Sequence, residues 1–473
     1  MRLMILLLSA LSLAARPQLP ATEFAAHRAK VLLQMEKNSL AVMTGAKPLM
    51  RNNDIEYPFR QNSDFFYLSG YDRPDSRLIL IKGDQPRFIL FIEQAGPHSG
   101  IWNTAPYSLD EVKKYFAPDT VYSPDQFEEI LKQELRGKSA VYYDFTDHDL
   151  GEKISEIVSA PWGRYPKTLH DFTPLVAEAR LIKSPAEIAM LQKAVDITNA
   201  AHREVMRATR SGLFEYQVNA LITFIYRSMN SPRDGFPSIV GSGPNSTILH
   251  YEKYDRQLED GDMMVLDIGA EYGMYSADVT RTIPVSGTFS PEQKDIYEIV
   301  LAAQQAGIEK TAPGVGFGEV GRASTRVISA GLKRLGLITD ENSRWQTRVW
   351  LMHGVSHWLG LDTHDAGSYL AREGHGGRLL EPGMVFTVEP GIYVSADALE
   401  KMDKIFGRYI SAEELARFKD AVRPAVEKYK NIGVRIEDDI LVTEKGYKNL
   451  SGESPRTVKE IENLMKKSSA YLK

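Results

Sequence analysis

Two short segments of this 473-residue chain repeat one pattern of apolar and acidic residues, and the repeat strongly constrains the fold. The first runs from Leu258 to Gly269 and the second from Leu380 to Gly391, at a constant offset of 122 residues. Each opens with Leu-Glu-x-Gly, continues as an apolar run, and carries an acid two residues before its last glycine. The repeat predicts two related half-domains, each with an acid at the same point of a strand, although so short a match also arises by coincidence.

The first acid-bearing strand continues into a predicted β-hairpin. The segment VLDIGAEYGMYSADVTRTIPV contains two β-prone runs around Tyr272 and Gly273. A turn centred on these residues would place Asp267 directly opposite Asp278. Opposed Cβ atoms lie about 4.5–5.5 Å apart, and like charges there destabilise a sheet unless a cation neutralises them. The hairpin therefore suggests a divalent-cation site; the alternative is a different register with Asp278 exposed to solvent.

The second acid-bearing strand has a comparable partner further along the chain. Glu389 ends the run GMVFTVEPG, and Arg435, Glu437 and Asp439 share one face of the later strand GVRIEDDILVT. An acid on an apolar strand is seldom left unpaired inside a protein. Glu389 and Glu437 are therefore predicted to pair as the two aspartates do, and the two carboxylate pairs would form a site for two cations.

Histidines are concentrated in the second half of this region. The chain has 10, of which His353, His357, His364 and His375 lie within 23 positions, while His250 precedes the first acidic strand. A single histidine is most often a structural or surface residue, but the cluster HGVSHWLGLDTHD is unusually dense. Because the chain contains no cysteine, O and N atoms must hold any metal. One imidazole with four carboxylates suits Mn²⁺ better than a structural zinc site.

The rest of the sequence predicts a signal segment and two domains. Residues 1–15 begin with a basic residue, continue as an apolar segment and end in small residues that suit a cleavage site. This pattern predicts a signal peptide and export to the periplasm or the medium. The alternatives are a buried N-terminal helix or a misplaced start, with a cytoplasmic protein. Residues 22–172 alternate strand-like and helix-like runs, typical of an α/β domain. Residues 180–465 combine helices with hairpins, typical of an α+β domain.

Charge and hydropathy exclude two classes of partner. The formal net charge of −5 gives no electrostatic reason to expect nucleic acid. After the signal segment, no apolar run reaches the roughly 18 residues that a membrane span needs. The clearest single element is a long helix from Ser184 to about Arg210, because Ser184, Pro185 and Glu187 suit its N-cap, N1 and N3 positions.

Five motifs together resemble one enzyme family. They are FRQNSDFFYLSG, DIGAEYGMYSADVTRT, HGVSHWLGLDTHD, TVEPGIY and GVRIEDDILVT. From about Phe24 onward the chain resembles the Xaa-Pro aminopeptidases, or aminopeptidases P, of the creatinase and methionine-aminopeptidase group. The resemblance implies an α/β N-terminal domain followed by an α+β pita-bread catalytic domain with two pseudo-symmetric halves. It also implies an exopeptidase that releases the first residue of peptides with proline in the second position.

The resemblance implies roles for individual residues. The implied ligands of two divalent metal ions, typically Mn²⁺, are Asp267, Asp278, His357, Glu389 and Glu437. The implied substrate-binding residues are His250, His353, His364, Tyr393, Arg435 and Trp102. Trp102 would contact the substrate proline, but its neighbours Asn103 to Pro106 depart from the family pattern, so packing between domains is the alternative. The family often forms dimers or tetramers, and a homo-oligomer is expected on that ground.

The implied reaction is metal-assisted hydrolysis. Two metal ions about 3.5–4 Å apart lower the pKa of bound water and polarise a carbonyl group. Under this hypothesis the metal-held hydroxide attacks the carbonyl that precedes proline. Glu389 carries the proton to the leaving nitrogen, and His364 with His250 stabilises the developing oxyanion.

Other functions remain open at this stage. Prolidases, which cut only Xaa-Pro dipeptides, can carry an insertion such as the charged stretch from Ser395 to Asn431. A creatinase-type hydrolase uses the fold without this metal set. A non-enzymatic binding module would be expected to have lost ligands, whereas all five are present here.

Overall fold

The structure is a computed structural model that describes residues 19–96, 99–101, 104–160, 164–370 and 377–471. The predicted signal segment, Trp102 and His375 lie outside these residues. The chain divides into two compact units, and the division falls between Ala179 and Arg180. Within the described ranges, every helix is too short or too polar to cross a bilayer.

The first unit is built on a mixed six-stranded sheet. Its strands are β1 (Ser39–Thr44), β2 (Met50–Asn52), β3 (Ile55–Glu56), β4 (Arg77–Lys82), β5 (Arg87–Phe91), β6 (Thr120–Tyr122), β7 (Ala140–Tyr143) and β8 (Thr168–Asp171). Its helices are α1 (Ala21–Gln34), α2 (Ser63–Ser69), α3 (Leu109–Phe116), α4 (Phe127–Leu135), α5 (His148–Ser159) and α6 (Thr173–Leu181), in which the division falls. The sheet order is β6-β5-β4-β1-β7-β8, and β2 with β3 forms a separate hairpin.

Alternating apolar residues explain the core of this sheet. Leu40 and Val42 of β1, with Ile79 and Ile81 of β4, point to one face and pack with helices α4 and α5. The runs LAVMTG, RLILIKG, RFILFIE and SAVYYD contain β1, β4, β5 and β7. The α/β class predicted for this part of the chain is confirmed.

The second unit combines eight helices and eleven strands among its described residues. The helices are α7 (Pro185–Ala208), α8 (Glu215–Ser228), α9 (Pro291–Glu309), α10 (Phe317–Leu335), α11 (Arg344–Arg348), α12 (Ala398–Phe406), α13 (Ala412–Tyr429) and α14 (Val458–Met465). The strands are β9 (Arg233–Asp234), β10 (Ile239–Ser242), β11 (Met263–Ile268), β12 (Ala270–Tyr272), β13 (Tyr275–Ser276), β14 (Val279–Pro284), β15 (Val385–Val388), β16 (Gly391–Val394), β17 (Ile432–Arg435), β18 (Asp438–Thr443) and β19 (Gly446–Asn449). This is the α+β arrangement predicted for the unit.

Helix α7 begins where its capping residues predict. The Ser184 hydroxyl accepts a hydrogen bond from the Glu187 amide, and the Glu187 carboxylate accepts one from the Ser184 amide. Pro185 occupies the first helical position. The helix ends at Ala208, two residues before the predicted end, and its inner face joins the core of the unit.

Two interrupted hairpins form the centre of the unit. Strand β11 pairs with β14, and β12 pairs with β13 beyond a break at Gly269. Strand β15 pairs with β18, and β16 pairs with β17 beyond a break at Glu389 and Pro390. The two breaks are offset within the 122-residue repeat: Asp267 still lies in the β11–β14 ladder, just before its break, whereas Glu389 lies in the second break itself.

The register of the first hairpin differs from the prediction. Asp267 pairs with Thr280, not with Asp278, because the turn is centred on Gly273 and Met274. Both turn residues have positive φ, 59° and 73°, as a two-residue type I′ turn requires. The predicted centre would have imposed positive φ on the aromatic Tyr272, which is unfavourable. Since the shift is two residues, Asp278 stays on the same face as Asp267, diagonal to it.

The second hairpin has the expected alignment. Thr387 pairs with Asp439 on one side of the break, and Gly391 pairs with Arg435 on the other. The same register carried across the break places Glu389 opposite Glu437. Two carboxylates therefore meet at the interruption itself.

The stretch from Ser395 to Asn431 is a packed part of the second unit. Helices α12 and α13 occupy most of it. Phe418 and Val422 of α13 are buried in the core, and the Trp345 ring contacts Phe418 edge-on at 4.8 Å. The stretch thus contributes a covering layer of helix.

Gly269 should tolerate no side chain. A Cβ atom there would lie 1.9 Å from the carbonyl oxygen of Ala277. We expect Gly269→Ala to lower the free energy of unfolding by about 1–3 kcal/mol, because backbone must move. Urea unfolding measures the effect. Gly321→Ala is the matched control, since its Cβ would meet nothing closer than 3.8 Å and alanine favours a helix; equal losses would contradict the prediction.

Candidate functional site

Both interrupted hairpins border one cavity of about 680 Å³. Its polar lining consists of His250, Glu252, Asp267, Asp278, His353, Ser356, His357, Thr363, His364, Glu389, Arg435 and Glu437. Its apolar lining consists of Phe236, Pro237, Ile239, Leu249, Phe317 and Tyr369. The structure therefore brings all the predicted site residues together here except Tyr393, which lies behind the wall, and Trp102, which is outside the described residues.

His357 faces the carboxylates with a nitrogen lone pair. Its Nδ1 lies 3.0 Å from the Trp358 carbonyl oxygen, which can only accept, so Nδ1 donates there and Nε2 is left for another partner. Nε2 then points at Asp278 Oδ2 (3.4 Å), Glu389 Oε1 (3.6 Å) and Glu437 Oε1 (4.0 Å). Four acceptors that face one another repel, unless a cation lies among them.

Several carboxylate oxygens at this point have no donor. Asp267 Oδ1, Asp278 Oδ1 and Glu437 Oε1 are buried and receive no hydrogen bond from any described residue. Ligand atoms of Asp278, His357 and Glu437 all lie within 4.8 Å of one another. Buried polar atoms are normally satisfied, so these oxygens fit a group that carries positive charge.

The electrostatics of the cluster lead to the same requirement. Burial, followed by repulsion from Asp267, raises the pKa of Asp278 well above its usual range, and burial and Asp278 do the same to Glu437. Burial raises the pKa of Glu389 to about 7. Burial also opposes ionisation of Asp267, but the Arg435 guanidinium outweighs it and lowers the pKa. The four carboxylates can be ionised together only beside added positive charge.

Arg435 connects the cluster to the wall behind it. Its guanidinium donates to Asp267 Oδ2, to the Leu249 carbonyl oxygen (3.3 Å) and to the Tyr393 hydroxyl (2.8 Å). The Tyr393 hydroxyl, having accepted from arginine, can donate to His353 Nε2 at 2.8 Å. Burial and then Arg435 lower the pKa of His353 to about 3. His353 is therefore neutral, and its second nitrogen donates to the Gly354 carbonyl oxygen.

His364 stacks on His357. The two rings are nearly parallel, at 7°, with centroids 3.9 Å apart. Burial, and then the neighbouring imidazoles of His357 and His250, lower the pKa of His364 to about 4. His364 is therefore neutral at pH 7, with one N–H to donate. His250 is exposed at the cavity, and its ring forms no hydrogen bond within the described part of the chain.

A buried ion-pair network, which the sequence analysis did not find, follows His364 directly. Asp365 accepts from Lys183 Nζ at 2.9 Å and from the guanidinium of Arg180, and Arg180 also pairs with Asp362 at 2.7 Å. The side chains of Lys183 and Asp365 are each 1% exposed. Lys183 and Asp365 are 182 residues apart, so no sequence pattern predicts that they pair. The one available indication was that Asp365 directly follows His364.

Comparison with known proteins gives consistent matches. The model of metallopeptidase family M24 matches residues 189–444, and that of the aminopeptidase P N-terminal domain matches residues 24–142. An Xaa-Pro aminopeptidase of Haemophilus influenzae is 37% identical and covers 96% of this chain and 100% of its own length. That of Escherichia coli is 35% identical and covers 94% and 97%.

Solved structures agree over nearly the whole length. The aminopeptidase PepP of Pseudomonas aeruginosa has a TM-score of 0.85 and 34% identity, and the match covers 95% of this chain and 98% of that one. A zinc-substituted aminopeptidase P of E. coli in complex with product has a TM-score of 0.84 with the same identity and coverage.

Asp365 should be important for stability. We expect Asp365→Asn to lower the free energy of unfolding by about 3–5 kcal/mol, because Lys183 and Arg180 lose a buried counter-charge. The measurement is urea unfolding. The control is Asp403→Asn. Asp403 forms a salt bridge with Lys419, but its side chain is 61% exposed, and exposed pairs contribute about 1 kcal/mol at most. A loss for Asp365→Asn no larger than the control's would contradict the assignment.

Proposed function

The chain belongs to metallopeptidase family M24 and carries the aminopeptidase P N-terminal domain, and from that premise we propose how its cavity works. The protein is a metal-dependent Xaa-Pro aminopeptidase, which releases the N-terminal residue of peptides that have proline in the second position. The pita-bread catalytic domain implied by the motifs is confirmed. Prolidase is not favoured, because the full-length relatives of 35–37% identity are Xaa-Pro aminopeptidases.

We assign five residues as ligands of two divalent cations. They are Asp267, Asp278, His357, Glu389 and Glu437. The observation that carries this assignment is the His357 Nε2 lone pair, which faces three carboxylates at 3.4–4.0 Å. Oxygen and imidazole donors without thiolate favour Mn²⁺. When bound, such a pair of cations lowers the pKa of water and polarises a carbonyl group.

The chain's own groups handle the proton and the developing charge. Glu389 is 15% exposed, lines the cavity, and has its pKa raised to about 7 by burial. We assign it the transfer of a proton to the leaving nitrogen. His364 is neutral, so its N–H, together with His250, is assigned to the carbonyl oxygen of the scissile bond.

Substrate recognition follows from the two kinds of lining. The carboxylates give a free α-amino group a favourable electrostatic environment, which suits an exopeptidase. The nitrogen of proline carries no hydrogen for an enzyme to recognise, so selection must act on ring shape. Phe236, Ile239, Leu249, Phe317 and Tyr369 supply the apolar surface for such selection.

Substrate length and the Glu389 role can be tested together. We expect the enzyme to release arginine from Arg-Pro-Pro and alanine from Ala-Pro-Ala, and to cleave Ala-Pro slowly. Glu389→Ala should abolish turnover with an unchanged circular dichroism spectrum, because it removes the proton carrier. Product release is followed by chromatography. Cleavage restricted to Ala-Pro would establish a prolidase, and an active Glu389→Ala variant would refute the assigned role.

Metal content tests the ligand set. We expect two divalent ions per chain by elemental analysis, loss of activity with a chelator, and recovery with Mn²⁺. Mn²⁺ alone should raise the melting temperature of the chelated protein, since it binds the folded state. Asp278→Asn should lower both the metal content and this shift, whereas the exposed Asp403→Asn should change neither. Full metal content in Asp278→Asn would show that the ligands lie elsewhere.

A further inference from the structure

His250 has no side-chain anchor of its own. It lies in the connection between β10 and β11, whose described part contains one short 3₁₀ turn, Gly243–Thr247, and otherwise no helix or strand longer than an isolated bridge. The ring is exposed at the cavity and forms no hydrogen bond with any described residue. The place of this ring therefore depends on how the backbone on either side is held.

A buried carboxylate holds this connection through four residues. Glu215, the first residue of α8, is 0% exposed. Its Oε1 accepts from the Ser242 amide (2.8 Å), the Ser242 hydroxyl (2.7 Å) and the Asn245 side chain (3.1 Å) at the start of the connection. Its Oε2 accepts from the Tyr251 hydroxyl (2.8 Å) and the Arg256 amide (3.1 Å) further along.

His250 thus lies between two anchored residues. On one side, the Leu249 carbonyl oxygen accepts from Arg435 at 3.3 Å. On the other, Tyr251 is 7% exposed and reaches Glu215. With both neighbours held, the backbone of His250 has little freedom, while its ring stays in the cavity.

We propose that Glu215 is a positioning residue, which fixes the connection through Ser242, Tyr251 and Arg256 and so holds His250 where the scissile carbonyl is bound. The proposal rests on the proposed function and adds a residue outside the cavity lining. Five donors on one buried carboxylate, spread over 15 residues from Ser242 to Arg256, exceed what capping a helix requires. A water-exposed ring without such support would sample many positions and stabilise the transition state less.

Glu215→Gln is the first test. Both carboxylate oxygens of Glu215 accept hydrogen bonds, whereas one end of the glutamine amide can only donate, so the donors at that end lose their acceptor. We expect kcat to fall by about tenfold, less than complete removal of an oxyanion donor costs, with KM and metal content unchanged. In a His250→Ala background the same substitution should have no further effect. Asp260→Asn is the matched control, since Asp260 is an exposed acid on the same connection.

Tyr251→Phe is the second variant and the safer one for folding. It removes one hydroxyl, and we expect a smaller fall in kcat that also disappears without His250. Tyr297→Phe serves as its control, because Tyr297 is also buried and its hydroxyl donates to the Arg456 carbonyl oxygen, away from Glu215. Both variants should lose some stability, and only Tyr251→Phe should lose kcat.

Amide hydrogen exchange in the metal-free protein gives a readout that does not need activity. Exchange at Ser242 and Arg256 should become faster in Glu215→Gln and stay unchanged in Asp260→Asn. An unchanged kcat in Glu215→Gln, or an equal loss with and without His250, would overturn the proposal. Failure of the proposed function would look different: the unsubstituted enzyme would cleave no Xaa-Pro peptide.

Discussion

Repulsion among buried acceptors is the constraint around which the catalytic unit is organised. His357 Nε2 faces Asp278, Glu389 and Glu437, and one buried oxygen each of Asp267, Asp278 and Glu437 has no donor among the described residues. Apolar packing alone cannot compensate such a group, because burying unpaired charge is expensive. The core, the broken hairpins and the ion pairs behind the cavity hold these acceptors close together for a cation.

The two halves place their acids on similar interrupted hairpins, but different residues stand opposite those acids. Asp267 and Glu389 occupy equivalent places, but Thr280 stands opposite the first and Glu437 opposite the second. Opposite the following glycines stand Asp278 and Arg435. The halves are also joined, since Thr280 donates to Glu437 at 2.7 Å and the Asp278 amide donates to Asp439. Arg435 lowers the pKa of Asp267, whereas burial raises the pKa of the other three carboxylates.

The sequence predicted the structure best at positions where a residue type strongly favours one local role, such as capping a helix. Capping residues located the start of α7, and the spacing of acids at the repeat identified the two strands. It failed at the turn, where a choice between Tyr272 and Met274 for a positive φ shifted the register by two residues. Glu215 and Asp365 were not found, because their partners are far away in the sequence. The sequence alone does not distinguish a buried, hydrogen-bonded carboxylate from an acid on the surface.

The distribution of the site along the chain has a consequence for biosynthesis. Asp267 and Asp278 lie on one hairpin, while Glu389 and Glu437 lie on another that closes only across α12 and α13. A chain emerging from the ribosome therefore cannot bring the five proposed ligands together until Glu437 has left the exit tunnel. On the proposed ligand assignment, the full metal site therefore forms only when nearly all of the second unit has been synthesised.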